Sequence, residues 1–302
     1  MRKLTTDEVN LVKGKGFLRN RGTDLFSGRI VSRGSVFSAS EMRAIADIAE
    51  KFGSGKVSFT SRLSAEIVGI PFDKIDEAIS YALAHGISFG GTGAKIRPIT
   101  ACKGTTCVFG NFDTQELCRE IFDRYYVGWA DVKLPHKFKI GIGGCPNSCM
   151  KPSLNDFGIE GHKIPTVNKD ICRNCKVCLC EKSCPMGAFR SGEVDREKCI
   201  DCGVCTNKCP FGAVNAVGGD VVYKIFAGGT WGKSTRMGTP LSRYVSRDEI
   251  FPILESCMLW FKKYAMPKER FGKAIDRIGV EKFEAEIFSG ALLEERDEIL
   301  KM

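Results

Sequence analysis

The sequence predicts an α+β fold in which a small inserted domain interrupts a larger one. Through residue 100 the predicted elements follow the order β-α-β-β-α-β, which is the split ferredoxin-like pattern. Beyond that point the chain becomes rich in glycine and cysteine, and residues 164–218 have a cysteine spacing of their own. We therefore predict an N-terminal part over 1–100, a second part over 101–163 and 219–302, and an insert over 164–218. The fold class alone implies no function.

Helix caps and runs of strand-forming residues predict the elements of the N-terminal part. A Ser or Thr followed three residues later by Glu forms a capping box, and Thr5 and Ser38 open such boxes. Runs rich in β-branched and aromatic residues predict the strands. In chain order we expect a short helix within 1–20, a strand over 25–31, a helix over 38–52, strands over 56–60 and 65–70, and a helix over 73–84 that Asp73 caps.

The same signals predict the elements of the second part. In chain order we expect a helix over 113–126, strands over 136–142 and 221–227, a helix over 246–263 with a capping box at Ser246, a helix over 267–277 with Pro267 in its first turn, and a charged tail over 291–302. Cys118 and Cys257 fall inside predicted helices. We interpret both as small buried side chains, because free cysteine is usually buried.

Composition limits the class of protein. No apolar run reaches the roughly 18 residues that a membrane-spanning helix needs, and the N-terminus lacks the apolar core of a signal peptide, so we expect a cytoplasmic protein. Cytosolic thiols stay reduced, and the 15 cysteines therefore favour metal binding over disulfides. Because only 3 histidines are present, all-thiolate ligation is expected, which indicates iron–sulfur clusters or structural zinc.

The formal net charge of +9 by itself favours an anionic partner such as nucleic acid. An oxidised cubane with four thiolates carries roughly two negative charges, however, so several such clusters would offset much of this excess. No basic run interleaved with aromatic residues accompanies the charge. We therefore expect an anionic cofactor and an anionic substrate, and no nucleic-acid partner.

The insert carries the most specific motif in the chain. Residues 199–210 form a C-x2-C-x2-C-x3-C-P run, and residues 172–185 repeat its beginning and its end. Bacterial-type ferredoxins bind two [4Fe–4S] clusters with such a duplicated run, in which the fourth cysteine of each run ligates the other cluster. The expected ligands are Cys172, Cys175, Cys178 and Cys209 for cluster 1, and Cys184, Cys199, Cys202 and Cys205 for cluster 2. A pair of zinc ribbons is the alternative, which this spacing does not favour.

One ligand of cluster 1 has an alternative. The first run carries two extra residues before Cys184, and Cys180 lies among them. We prefer Cys178 as the ligand, because it keeps the C-x2-C-x2-C loop intact, and Cys180 is the other choice.

A second set of cysteines lies outside the insert. Cys102 and Cys107 occupy a loop rich in glycine and threonine, and Cys145 and Cys149 form a C-x3-C pair behind the predicted strand over 136–142. Side chains alternate along a strand, so the two lysines of that strand share one face. A pair of lysines on the face of a strand that leads directly into a metal-type cysteine pair favours a functional site.

Together, the cysteine pairs and their flanks resemble the sirohaem-dependent sulfite and nitrite reductases. The resemblance covers about residues 15–285, interrupted by the insert, and is greatest to the catalytic subunit of anaerobic sulfite reductases and to single-repeat dissimilatory types. It implies a sirohaem- and [4Fe–4S]-binding reductase domain in which Cys149 bridges a cubane to the sirohaem iron. Cys102, Cys107 and Cys145 would be the other ligands, although Cys102 and Cys107 are spaced C-x4-C where the family has C-x5-C.

The resemblance also implies which side chains bind substrate and cofactor. The family holds its anionic substrate with two arginines and two lysines, and the matching residues are Arg29, Arg97, Lys137 and Lys139. Arg62 matches a residue that contacts sirohaem carboxylates. Arg236 belongs to a glycine-rich loop over residues 228–238 that resembles cofactor-binding backbone.

The resemblance implies an oxidoreductase that reduces sulfite to sulfide with six electrons, using sirohaem and three [4Fe–4S] clusters. Electrons would come from a donor protein or subunit and pass through the ferredoxin insert. Reduction of nitrite to ammonia is one alternative, and a non-catalytic electron-transfer subunit is another. Because the chain has one copy of a reductase fold that longer relatives have twice, we expect a homodimer or a place in a hetero-oligomeric reductase.

Overall fold

The computed structural model describes residues 4–302, which form two larger sheets, a cysteine-rich segment and a group of helices. The α-helices are α1 (Thr6–Gly14), α2 (Ala39–Phe52), α3 (Ile75–Ala84), α4 (Thr114–Ile121), α5 (Leu179–Ser183), α6 (Ile250–Tyr264), α7 (Phe271–Ile278), α8 (Val280–Ser289), α9 (Ala291–Glu294) and α10 (Arg296–Lys301). The strands are β1 (Phe17–Arg19), β2 (Leu25–Ile30), β3 (Val57–Phe59), β4 (Ala65–Pro71), β5 (Thr100–Ala101), β6 (Ile140–Gly143), β7 (Phe157–His162), β8 (Pro165–Val167), β9 (Phe189–Arg190), β10 (Glu193–Val194), β11 (Val214–Ala216), β12 (Val222–Ala227) and β13 (Thr239–Pro240). Among these residues no helix is long and apolar enough to cross a membrane.

The first sheet is antiparallel, with the order β1-β2-β4-β3. Helices α2 and α3 contribute to its core, which includes Ile45, Ile48 and Ile67. The capping boxes at Thr5 and Ser38 both form, so α1 and α2 begin where the sequence predicts. Arg29 lies on β2 next to Ile30, which is buried in this core. The sheet therefore fixes the position of Arg29.

The last strand of the expected β-α-β-β-α-β order is nearly absent. It is reduced to a single antiparallel bridge between Ile30 and Phe89, on the edge of β2 opposite β4, and the unpredicted β1 pairs along the same edge. The chain after Phe89 is rich in glycine, which weakens strands and permits close approach of other groups. A Cβ added to Gly90 would lie 2.5 Å from the hydroxyl oxygen of Tyr126. Close packing therefore replaces strand pairing here.

The second sheet has the order β13-β12-β7-β6-β5, in which β5, β6 and β7 are parallel and the other pairs antiparallel. An aromatic cluster of Phe138, Trp260, Phe261, Phe271 and Phe283 packs in its core, and each is 0% exposed. Cys118 and Cys257 are also 0% exposed, which confirms that both are buried core residues.

Several predicted boundaries in the second part are wrong. Helix α6 begins at Ile250, four residues after Ser246, and the backbone N–H of Ser246 donates to the side chain of Glu249. Helix α7 begins at Phe271, so Pro267 precedes it. The expected charged tail folds into α9 and α10, because Leu292 and Ile299 are buried in the core.

Three other predicted boundaries also differ from the structure. Helix α3 starts at Ile75, because residues 72–74 form a 3-10 turn that contains Asp73. The expected helix over 113–126 is α-helical to Ile121 and continues as one π-helical stretch, Phe122–Val127. The expected strand over 136–142 starts at Ile140, and before it only Phe138 makes a bridge, to Ile96.

The cysteine-rich segment begins and ends in strands that pair with each other. In the antiparallel pair of β8 and β11, Pro165 lies opposite Ala216, and β9 pairs with β10. Its small core contains Cys180, Phe189, Cys205 and Val214. Half of these core residues are cysteines, which distinguishes this segment from both larger sheets.

Candidate anion pocket and cysteine clusters

Five cationic side chains line one cavity. They are Arg29, Arg62, Arg97, Lys137 and Lys139. The hydroxyl-bearing residues Thr60, Ser61 and Ser64 line the same cavity. The structure thus brings together the four cations that the sequence predicts for substrate binding, together with Arg62. A cavity lined by cations and hydroxyl groups is suited to an oxyanion.

The segment that enters β6 directs two of these cations into the cavity. Lys137 and Lys139 both line it, whereas the residues that alternate with them, Phe138 and Ile140, are 0% exposed in the core. Alternation along an extended chain separates the two pairs of side chains, as the sequence predicts. The buried aromatic and aliphatic side chains therefore fix the orientation of the two lysines.

Burial and mutual repulsion change the acidity of the two lysines. The pKa of Lys139 is lowered to about 8, chiefly by burial and then by the charges of Arg62, Lys137 and Arg270. The pKa of Lys137 is also lowered, by burial and by Arg270 and Arg97. A lysine with a pKa near 8 is protonated at neutral pH and releases its proton readily, which suits a general acid.

The two arginines of the predicted set are held differently. Arg29 forms an ion pair with Glu66, and their side chains are 27% and 21% exposed. Arg97 donates one bond to the carbonyl of Gly91, while its Nε is buried and has no hydrogen-bond partner among residues 4–302. A buried donor without a partner is costly, and an anion in the cavity would satisfy it.

The sequence did not identify Asp156 and Arg270, which lie against this pocket. Asp156 is 0% exposed, and Arg270 donates to both of its carboxylate oxygens at 2.9 Å. The backbone N–H of Lys139 also donates to Asp156, at 2.9 Å. Asp156 therefore partly offsets the cations and fixes the backbone that carries Lys139. No sequence spacing links the two residues, since they are 114 positions apart.

The two predicted sirohaem-binding arginines already bind protein groups. The guanidinium of Arg62 donates to the carbonyls of Pro98 and Ile140 and to the side chain of Asn155. Burial lowers its pKa to about 10, so it stays charged at neutral pH. Arg236 is outside the cavity lining and pairs with Asp276, and it also donates to several backbone carbonyls. A direct cofactor contact of either arginine stays a prediction.

The cysteines outside the insert approach one another across two loops. Burial raises the pKa of Cys145, and the nearby Cys102, Cys149 and Cys107 raise it further. Cys102 Sγ accepts hydrogen bonds from the backbone N–H of Gly144 at 3.2 Å and of Gly104 at 3.5 Å. Backbone N–H groups directed at a cysteine sulfur are a feature of iron–sulfur sites, where they help to set the reduction potential. Cys149 is exposed, so it is open to a further ligand.

Two cavities in the cysteine-rich segment separate its cysteines into two groups. One cavity is lined by Cys184, Cys199, Cys202 and Cys205. The other, which is larger, is lined by Cys172, Cys175, Cys178, Cys180 and Cys209. The cavities group Cys184 with the second run and Cys209 with the first, as in the crossed ligand sets that the spacing predicts, and Cys180 lies in the group of Cys209.

Cys178 and Cys180 differ in exposure although both line the larger cavity. Cys180 is 1% exposed, and its Sγ donates to the carbonyl of Cys205, whereas Cys178 precedes α5 and is more exposed. Among residues 4–302 no three His, Cys, Asp or Glu side chains are arranged to hold a single metal ion. A cubane differs from a single ion, because its four thiolates each bind a different iron of the cluster.

Comparison with known families identifies the class of protein. Residues 92–294 match the family described as "Nitrite and sulphite reductase 4Fe-4S domain", and residues 19–85 match the "Nitrite/Sulfite reductase ferredoxin-like half domain". The first match alone covers more than half of the chain. The chain therefore belongs to the nitrite and sulphite reductase 4Fe-4S family.

Two curated relatives are sulfite reductases by name. The chain is 31% identical over 261 residues to the coenzyme F420-dependent sulfite reductase of Methanocaldococcus jannaschii, covering 84% of this chain but 40% of that protein. It is 28% identical over 303 residues to a subunit of the anaerobic sulfite reductase of Salmonella typhimurium, covering 90% of this chain and 86% of that one. The chain thus spans less than half the length of the first of these relatives.

Two solved structures share the fold. Dissimilatory sulfite reductase I (DsrI) matches with a TM-score of 0.69 at 22% identity, covering 87% of this chain and 68% of that one. The Mycobacterium tuberculosis NirA protein matches with a TM-score of 0.66 at 15% identity, covering 94% and 46%. These likenesses confirm the sulfite/nitrite reductase fold that the sequence predicts for the chain outside the insert.

Proposed function

We propose that this chain is a sirohaem- and [4Fe–4S]-dependent reductase that converts sulfite to sulfide with six electrons. The observation that carries the proposal is the cavity that Arg29, Arg97, Lys137 and Lys139 line together. Membership of the family and the names of two relatives support sulfite as the substrate. Electrons would enter through the cysteine-rich insert.

The cavity supplies what an oxyanion needs for binding. Arg97 offers a buried Nε without a partner among residues 4–302, and Arg29 and the two lysines add positive charge around the same space. In a partly buried site these charges attract an anion more strongly than they would in water. Arginine holds the charge at any physiological pH, so Arg29 and Arg97 would mainly bind and orient the substrate.

Protons would come from the lysines. Each oxygen that leaves sulfite as water takes up two protons, and Lys139, with a pKa lowered to about 8, is suited to donate them near neutral pH. Asp156 accepts the backbone N–H of Lys139 and would keep its side chain aimed at the cavity. Asp156 also raises the pKa of Lys139 against the lowering effects, so it helps to keep the lysine protonated.

The residues present fit the proposed cofactors. Cys102, Cys107, Cys145 and Cys149 would hold one cubane, and the two insert cavities would hold the other two. Exposed Cys149 would bridge to sirohaem, and Arg62 and Arg236 remain the proposed contacts to its carboxylates. When bound, sirohaem and its cubane supply the electrons that reduce sulfite. The N–H bonds to Cys102 and the buried Arg97 Nε support this fit.

The proposal extends to partners and to the division of the chain. The Salmonella typhimurium relative is named as one subunit of an anaerobic sulfite reductase, which supports a subunit role for this chain. We propose a hetero-oligomer or a homodimer that receives electrons from a donor protein in the cytoplasm. The reductase part would comprise residues 1–163 and 219–302, and the ferredoxin insert residues 164–218.

Anaerobically purified protein supplied with a reduced low-potential dye tests this proposal. We expect sulfide to form in proportion to dye oxidised, with six electrons consumed for each sulfide. Nitrite is assayed in parallel under the same conditions. Sulfite turnover that is absent, or much slower than nitrite turnover, in protein with a full set of cofactors would overturn the assignment of sulfite.

A further inference from the structure

Asn111 joins the two cysteine systems through hydrogen bonds. Its backbone N–H donates to the carbonyl of Gly144 at 2.9 Å, and Gly144 in turn donates to Cys102 Sγ. Its side-chain Nδ2 donates to the carbonyl of Cys202 at 3.4 Å and to that of Gly161 at 3.2 Å. A continuous path of bonds therefore runs from a proposed ligand of cluster 2 to a proposed ligand of the cubane outside the insert.

The surroundings of Asn111 bring the two loops close together. Lys163 forms a parallel bridge with Cys202, and its N–H donates to the carbonyl of Asp201 at 2.9 Å. Gly203 adopts a φ of +74°, and a Cβ there would lie 2.6 Å from Cβ of Lys163 and 3.2 Å from Oδ1 of Asn111. Glycine thus permits this approach, which places the Cys202 loop of the insert against the segment that carries Asn111.

We propose that Asn111 is a positioning residue that couples cluster 2 to the cubane outside the insert, so that one-electron transfer between them follows its side-chain amide. The inference rests on the proposed function, because it requires both clusters. One electron would pass from cluster 2 to the cubane, which would oxidise the first by one electron and reduce the second by one. No covalent bond changes and no proton moves. Cluster 1, whose proposed ligands make no bond to Asn111, would receive electrons from the donor.

The geometry explains why this amide would affect electron transfer. Hydrogen bonds conduct an electron between redox centres better than an empty gap of the same length. The backbone N–H of the same residue bonds to Gly144, and Gly144 donates to Cys102 Sγ, so the position of Asn111 would also contribute to the reduction potential of the cubane. Replacing residues that orient the ligands of a metal site typically changes metal affinity or activity by about 10–100-fold.

Two variants with matched controls test the proposal. Asn111→Leu removes the amide at similar size, and Asn111→Ser keeps a polar group that is too short to reach Cys202. Tyr244→Phe removes another bond between the body and the insert, from the Tyr244 hydroxyl to Asp201 at 3.0 Å, without touching the Asn111 path. Asn215→Leu removes an exposed insert amide that bonds to Gly212.

The readout is the electron-transfer rate and not turnover. Holoprotein is mixed with substoichiometric dithionite, and freeze-quench EPR follows reduction of the insert clusters and of the cubane separately. We expect both Asn111 variants to reduce the insert clusters normally and to slow the transfer to the cubane by about tenfold or more, with both controls unchanged. Wild-type transfer rates in the variants, or equal slowing in Tyr244→Phe, would overturn the inference. A wild-type protein without insert clusters would instead contradict the proposed function.

Discussion

The anion pocket and the cysteine-rich insert are built on different principles. The pocket stands on an aromatic and aliphatic core, in which Phe138 and Ile140 are 0% exposed and hold the lysines in place. The core of the insert consists of Cys180, Phe189, Cys205 and Val214. Its few apolar residues bury little surface, and small domains with such limited cores commonly gain stability from a metal or from disulfides. The pocket is therefore organised by packing, and the insert by its proposed clusters.

Removal of iron has the largest expected effect, and it separates the two regions. Chelation under oxidising conditions should unfold the insert, because binding of a metal supplies the folding free energy of such small domains. The helices α6 to α8 should keep their structure. Hydrogen exchange of the iron-free protein measures both regions in one sample. Full protection of the amides of residues 165–216 from exchange in the iron-free protein would contradict this, because the insert would then be stable without clusters.

Replacing Lys139 tests the pocket alone. Lys139→Ala should lower turnover by about 10²–10⁴-fold, because general acid catalysis contributes that much. The visible absorption of the cofactors should stay unchanged. Lys137→Ala should also lower turnover. Lys51→Ala, which changes an exposed lysine on α2, serves as the control and should leave turnover unchanged. Wild-type rates in either pocket variant would contradict the proposed role.

Asp156→Asn probes the electrostatic balance beneath the pocket. Removing one partner of a buried ion pair costs about 3–5 kcal/mol of stability, since the other charge is left without compensation. Asp276→Asn is the matched control, because Asp276 also pairs with an arginine but its side chain is 56% exposed. An exposed pair contributes about 0–1 kcal/mol. Chemical denaturation measures the free energy of unfolding of both variants. Equal losses of this free energy would show that the burial of Asp156 is unimportant.

The pH dependence of sulfite reduction has the smallest expected effect. Lys139 is protonated below its pKa of about 8 and neutral above it. The kcat/KM for sulfite should therefore be constant at lower pH and fall as the pH rises through about 8. Lys139→Arg keeps its charge at all these pH values and should lose this decrease. An unchanged profile in Lys139→Arg would assign the titration to another group.

The predicted site residues that the structure brings together came from local spacing or from family resemblance. The crossed ligand sets of the insert followed from spacing alone, and the two cavities group Cys184 and Cys209 in the same way. The four pocket cations followed from the resemblance. Asp156 and Arg270 could not be predicted, because an ion pair between distant residues leaves no local pattern.

In the fold, too, features that depend on neighbouring residues were predicted, and features that depend on distant contacts were not. Capping boxes at Thr5 and Ser38 predicted α1 and α2 well, since a cap depends on neighbouring residues. The segment from residue 291 was predicted as a charged tail, and it instead folds as α9 and α10. Leu292 and Ile299 bury their side chains against distant helices, and tertiary packing of this kind outweighs the charged composition.

Iron analysis together with a visible spectrum of anaerobically purified protein tests the central claim most directly. The proposed three cubanes and one sirohaem require about thirteen irons per chain. We expect to find this amount of iron and the absorption bands of sirohaem. The bands should change when sulfite is added. Protein that contains zinc and no chromophore would contradict the account, because neither the insert nor Cys149 would then hold the proposed groups.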